Sequence, residues 1–285
     1  MKGYAKPLHE FISGQQIQFV IPVYQRNYDW LIDNCDQLFS DLVKLSRSDR
    51  HSHFFGSIVT SSAGSGFNRF VIDGQQRLTT ISLLLLAGIK AVNDAALEIK
   101  NEYRKEEAYD LFLNAKYCNS ERKIKLVPIE NDRIAYDKIF NEEDSFDEDS
   151  KVTRNYRHFY DLLTRKPQAL SFDQLLDTIE RLQIISIELD SDDDAQLIFE
   201  SLNSTGLALT EADKIRNYLL LSLTPEEQQV CFKNYWQKIE QATENQPTKF
   251  LRDYLTIQQQ LQRPVRQSNI YYEWKKYMDG HERKE

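Results

Sequence analysis

Apolar residues alternate with polar ones over much of the first seventy positions and then shift to a helical spacing, so sheet comes first and helix after it. Gln16–Val23 places Ile17, Phe19 and Ile21 on one side of an extended segment that ends at Pro22. Leu31–Leu45 carries Leu38, Leu42 and Leu45 on a single helical stripe. Phe54–Thr60 and Arg69–Asp73 read as two strands around a turn at 61–68 with Gly64 and Gly66, which predicts a hairpin.

From Leu78 the period is helical. Leu78–Val92 is apolar nearly all round, as in a helix buried on several sides. Helices are predicted over Asn101–Tyr117, Asn131–Phe140, Tyr156–Leu163 and Phe172–Leu182, with a short extended piece at Lys123–Pro128 and a solvated acidic loop at Asn141–Ser150. Ile184–Leu189 is an isolated strand. A lone strand would leave backbone groups unpaired, so it is expected to return to the N-terminal sheet and to bring Asn203 and Asp213 near Asp73–Arg77. Two helices follow, Ala195–Leu202 and Glu211–Leu223. The second starts with Thr210 as N-cap and Asp213 three residues on. Beyond about 225 the pattern is helical throughout. Phe250, Tyr254, Ile257 and Leu261 mark one face, and Tyr235, Trp236, Phe250 and Tyr254 are expected to be mostly core. The predicted fold class is α+β, a small mixed sheet with helices plus a helical C-terminal subdomain. The predicted division is 1–223, with a helical insertion at about 93–182, and 224–285.

Composition changes this picture little. The chain of 285 residues carries 36 basic and 44 acidic side chains, a net charge of −8, so it is no bulk polycation, although a local basic groove is compatible with that total. Gly and Pro are scarce at 9 and 7, which favours helices. The start lacks the apolar run of a signal peptide, and Ile81–Ile89 is about half the roughly 20 residues that cross a bilayer. No membrane partner is expected, and a cytoplasmic location fits. Cys35, Cys118 and Cys231 are far apart and form no zinc pattern.

Three segments could carry chemistry. In Ile21-Pro22-Val23-Tyr24-Gln25-Arg26-Asn27-Tyr28-Asp29-Trp30, a tyrosine would stack on a base while Gln25 and Arg26 bond phosphate or base edges; the plainer reading is a surface loop anchored by Trp30. In Val71-Ile72-Asp73-Gly74-Gln75-Gln76-Arg77-Leu78-Thr79-Thr80, a strand passes through a glycine turn into a helix, whose first amides and Arg77 point toward an anion. Asp73 would hold Mg²⁺ or cap that helix. In the third, Phe199 to Lys214, Asn203 and Gly206 suit helix-end and turn positions, and the sharper reading has Asn203, Asp213 and Lys214 lining a ligand pocket. His51 and His53 have no carboxylate partner set by spacing, and Asp190–Asp194 read as helix capping. No Walker loop, nucleophile elbow, HExxH or HNH-like cluster is present.

Together with Phe55-Gly56-Ser57-Ile58-Val59, these segments resemble the DUF262 family, the N-terminal module of GmrSD-type modification-dependent restriction enzymes, over much of Leu8–Leu223. The resemblance implies a ParB/sulfiredoxin-like core whose Asp73–Arg77 loop binds a nucleoside triphosphate, GTP or another, with Mg²⁺. In that reading Asp73, Gln76 and Arg77 are catalytic, and Asp73 holds the metal. Tyr24, Gln25, Arg26, Gly74, Gln75, Asn203, Asp213 and Lys214 complete the binding site. Gln25 or Gln76 would orient water as a poor base, which makes the expected activity that of a slow nucleoside triphosphatase in anti-phage defence.

The implied partners are DNA, modified in many such systems, and an HNH-type nuclease domain. No nuclease signature occurs up to Glu285, so that domain is expected in cis outside this chain or in trans. A homodimer is among the assemblies this allows. Two other readings remain: a non-enzymatic reader of modified DNA, such as a phosphorothioate or modified base, that controls a nuclease; and a scaffold with inactive loops.

Overall fold

The computed structural model describes residues 2–62, 66–118, 120, 123–143, 145–190, 193, 195–202, 209–244 and 246–279. The expected positions Asn203 and Gly206, with Gly64, Asp144, Asp192 and Asp194, lie outside them. The chain forms two compact units, residues 1–22 with 27–193, and residues 23–26 with 194–285.

In chain order the N-terminal unit contains β1 (Lys2–Pro7), α1 (Leu8–Ile12), β2 (Gln18–Val20), α2 (Ile32–Ser46), β3 (His53–Ser61), β4 (Asn68–Asp73), α3 (Gln75–Asn93) and α4 (Tyr103–Ala108). A π-helical turn, Tyr109–Leu113, extends α4. Then come β5 (Leu126–Val127), α5 (Glu130–Phe140), α6 (Lys151–Thr164), α7 (Phe172–Glu180) and β6 (Leu182–Leu189). The sheet is mixed, in the order β1-β6-β3-β4-β2-β5. β3 and β4 form the predicted antiparallel hairpin. β6 joins the sheet as expected, parallel to β3 and antiparallel to β1.

The main core gathers Phe19, Ile58, Val71 and Ile184 from the sheet, and in the central strands the neighbouring Val59 and Ile72 are buried as well. Along β6, Leu182, Ile184 and Ser186 are buried and Ile185 is exposed, the alternation of a strand covered on one face. α3 is buried nearly all round, from Gln75 to Ala91. It packs on α6 and α7, and a Cβ on its Gly88 would stand 3.1 Å from the Phe172 ring. Lys125 is fully buried between β2 and the π turn. Its ammonium donates to the carbonyls of Ile12, Gly14 and Leu111 at 3.0–3.2 Å, and burial lowers its pKa to about 8.

Several boundaries differ from the sequence expectation. β1 was not anticipated. The strand at 16–23 is confined to Gln18–Val20. Leu182 opens β6 instead of closing the preceding helix, because its backbone is already in register with His53 of β3. The extended piece expected at Lys123–Pro128 is present as β5, which pairs with β2 at the sheet edge.

The C-terminal unit is helical across its described elements: α8 (Ala195–Leu202), α9 (Glu211–Leu220), α10 (Pro225–Cys231), a π turn (Phe232–Trp236), α11 (Gln237–Ala242), α12 (Pro247–Gln258), a 3₁₀ turn (Gln267–Asn269) and α13 (Ile270–Asp279). The two compact units divide at 193. Trp236 is buried, but Tyr235 and Phe250 are exposed and Tyr254 is half-buried. The inward face of α12 is Leu251 and Leu255, one turn apart. Phe250 and Ile257 lie on its outward side.

Candidate functional site

The site is built around the passage from β4 into α3. Asp73 ends β4 and pairs with Val59 of β3. Gly74 follows with φ +94°, and a Cβ there would stand 3.0 Å from Ile58 Cγ1 and 3.1 Å from the Ser57 carbonyl oxygen. The backbone of β3 runs too close for any side chain, so glycine is required twice over, by conformation and by space. α3 begins at Gln75, and its N-cap Gly74 has no side chain to offer the first amides.

Arg77, in the first turn of α3, reaches back over β3. Its Nη1 donates to the Ser57 carbonyl at 3.3 Å and lies 4.0 Å from an Asp73 carboxylate oxygen. The guanidinium rests on Gly56, which has φ +122° at a bulge in the β3–β6 pairing. A Cβ on Gly56 would come within 2.6 Å of Arg77 Nε. The Phe55-Gly56-Ser57 segment is therefore the seat of the Arg77 side chain. Side chains of Asp73 and Arg77 are 26% and 32% exposed, so solvent reaches both.

Gln76 has another task. It is buried, and its Oε1 accepts from the backbone N–H groups of Asp29 at 2.8 Å and Trp30 at 3.3 Å. Its Nε2 donates to the Asn27 carbonyl at 3.2 Å. These three bonds clasp the 27–30 segment to α3. Other helices hold the same segment. Tyr28 Oη is bonded to Thr80 at 2.7 Å and accepts from Asn155 Nδ2 at 2.9 Å; Asn155 also donates to the Trp30 carbonyl; and the Asp29 carboxylate pairs with Lys151. The Tyr28 N–H donates to Asp132 at 2.6 Å. Burial raises the Asp132 pKa to about 6, opposed by that N–H and by Lys151 and reinforced by the nearby Asp29 charge.

The remaining expected residues belong to the C-terminal unit. Tyr24 and Gln25 are buried, and Arg26 is partly exposed. Arg216, which sequence reasoning passed over, organises this region. Its Nε donates to the Tyr24 carbonyl at 3.0 Å, Nη2 to Asp213 at 2.9 Å and Nη1 to Glu240 at 2.8 Å, and its guanidinium lies 5.8 Å from the centre of the Trp236 ring. The available signal was the Asp213–Arg216 spacing of three on a capped helix. Asp213 also accepts from the Thr210 N–H at 3.1 Å and donates its own N–H to Thr210 Oγ1 at 3.1 Å, the predicted capping box. Lys214 pairs with Glu211 at 2.6 Å, and Glu211 accepts from the Tyr271 N–H at 2.8 Å. Glu200 is bonded to Tyr271 Oη and Gln196, with Lys275 3.4 Å away.

Two expectations are corrected by burial. The rings of Tyr24 and Tyr28 are 2% and 4% exposed, so neither presents a face for base stacking, and desolvation pushes both hydroxyl pKa values upward. Gln76 and Asp213 spend their polar atoms on the chain's own backbone and side chains. Among the described residues no group of three or more His, Cys, Asp or Glu could hold a metal ion.

A mixed-sheet α+β unit with an arginine seated on a strand glycine, followed by a helical unit, defines the class. The chain belongs to the family described as GmrSD restriction endonuclease, N-terminal domain, whose model matches residues 8–220. That membership implies a role in a DNA-acting restriction system that includes a nuclease domain. No curated protein matches the chain. No helix among the described residues is long and apolar enough to cross a membrane.

Proposed function

We propose that the Asp73–Arg77 turn binds the phosphates of a nucleoside triphosphate, and that the chain is a slow nucleotide-hydrolysing module governing a nuclease that acts on DNA. The observation that carries this reading is the state of Arg77. Among the described residues its five donors meet one carbonyl at 3.3 Å and one carboxylate at 4.0 Å, beside the start of α3, whose N-cap is Gly74. A guanidinium so lightly committed, held on glycine at the N-terminus of a helix, suits a bidentate anion. Asp73 would meet the nucleotide's Mg²⁺. Gln76 would act by holding the 27–30 segment against α3, while Gly74 and Gln75 would present backbone to the phosphates.

Titration of the chain with fluorescent GTP and ATP analogues in Mg²⁺ tests this reading. Arg77→Ala should weaken binding by roughly ten- to a hundredfold, the scale of about 1.5–3 kcal/mol for a charge-assisted bond, and should abolish phosphate release. Arg77→Lys should rescue little, because a point charge does not reproduce the fork. The Asp73–Arg77 pair is long and partly solvated, so Arg77→Ala should lower stability by no more than about 1 kcal/mol. A large loss of Tm with nucleotide affinity intact would reject the phosphate role.

A further inference from the structure

We infer that the C-terminal unit carries a contact surface for a phosphodiester backbone, formed by α12, the 3₁₀ turn and the loop that joins them. The inference is independent of nucleotide handling at Arg77. Residues 246–272 contain Lys249, Arg252, Arg263 and Arg266 against a single acid, Asp253, a local charge of +3 in a chain whose net charge is −8. The acidic total therefore hides a basic segment, and the segment lies beyond the residues matched by the family. It also holds six glutamines, neutral groups that donate hydrogen bonds to phosphate and sugar oxygens without repelling them.

The surface has a concave centre. Gln246, Thr248, Lys249, Arg252, Gln267 and Ile270 line a cavity of about 350 Å³ with no carboxylate among them. Arg252 is anchored by Asp253, which accepts from its Nε and Nη2 at 2.9 and 2.8 Å and leaves Nη1 uncommitted by that pair. Lys249, Arg263 and Arg266 are exposed, and none has an ion-pair partner among the described residues. Elsewhere in this unit several cations are neutralised within the fold, as Lys214 is by Glu211, Arg216 by Asp213 and Glu240, and Lys275 by Glu200. Lys249 and Arg252 on a carboxylate-free hollow, with amides beside them and the exposed Arg263 and Arg266 on the adjoining loop, fit a run of phosphates better than an acidic peptide, which would leave the amide donors without regularly spaced oxygens.

The test uses the full chain without nucleotide and a fluorescein-labelled duplex of 20 base pairs, as DNA and as RNA of the same sequence. Anisotropy should show binding that falls steeply with salt. Lys249→Ala should lower the slope of log K against log salt by about 0.9, one phosphate's worth. Arg263→Glu with Arg266→Glu should reduce affinity at least about tenfold while leaving thermal melting unchanged. Lys44→Glu, equally exposed on the N-terminal unit, should bind like the wild type. Equal affinity for DNA and RNA identifies backbone contact alone, and preference for either names the source. Absence of salt-dependent binding, an unchanged Arg263→Glu/Arg266→Glu variant, or an equal loss in Lys44→Glu would each overturn the inference.

Discussion

Arg77 and Gly56 are complementary: the guanidinium occupies the space where any other residue at 56 would carry its Cβ, 2.6 Å from Nε. Gly56→Ala should consequently mimic the loss of Arg77 function without touching Arg77. The left-handed backbone adds strain of about 1–3 kcal/mol. Urea unfolding should show that loss, and nucleotide titration should show at least about tenfold weaker binding. Wild-type affinity in Gly56→Ala would mean that the seat is irrelevant to the ligand.

Gln76 is expected to act on backbone order. In Gln76→Leu the amides of Asp29 and Trp30 lose their common acceptor, and the variant should lose about 1–3 kcal/mol, the range for orphaned polar groups. Hydrogen exchange should quicken at Asp29 and Trp30 ahead of the β3–β4 hairpin. Unchanged exchange there, with turnover lost, would return Gln76 to a direct role in hydrolysis.

Arg216 holds two carboxylates and a carbonyl in a nearly sealed position. Arg216→Met should cost about 3–5 kcal/mol, because Asp213 and Glu240 are left uncompensated. Adding Asp213→Asn and Glu240→Gln should recover a large part of that loss. Chemical denaturation of the single and triple variants decides the point, and failure of the neutral pair to recover stability would assign the loss to packing against Trp236.

Asp132 gives a pH signature. Its folded pKa of about 6 lies above the ordinary aspartate value, so between roughly pH 4 and 6 the folded chain binds the extra proton. Its contribution is fully present below the unfolded pKa and is lost as pH rises through about 6. Asp132→Asn keeps an acceptor for the Tyr28 N–H and should flatten this part of the profile, gaining about 1–2 kcal/mol at pH 7 once its partial exposure is allowed for. Stability measured from pH 4 to 8 in both proteins checks the slope. A wild-type profile that rises through pH 6 while the variant's stays flat would contradict it.

The hairpin, the buried helix and the return of β6 were legible because each follows a local period or a single unpaired-strand argument. β1 was not, since Lys2-Gly3-Tyr4-Ala5-Lys6-Pro7 sits at the sheet edge and shows no alternation of apolar and polar residues. α12 offers two apolar stripes, and helical spacing alone fits Phe250, Tyr254 and Ile257 as well as the buried Leu251 and Leu255. In the site, Arg77 and Gly74 could be read from a strand–glycine–helix string. The seat at Gly56 lies 21 positions upstream, and Arg216 meets Tyr24 across 192, so only the folded backbone joins them. The aromatic ring in Tyr24-Gln25-Arg26 looked like a stacking platform because sequence alone does not show that the ring is buried.

β1 pairs only with β6, so Lys2 meets Glu188 and Pro7 meets Gln183. On a ribosome the first strand thus emerges long before its partner exists. At roughly 5–20 residues per second the delay is on the order of ten to thirty seconds. Throughout that interval the strand that joins β1 to the hairpin is missing, although the hairpin and α3 are already made. Nascent chains halted before Leu189 should expose an open sheet edge and call on chaperones, and release of only a few further residues should close it.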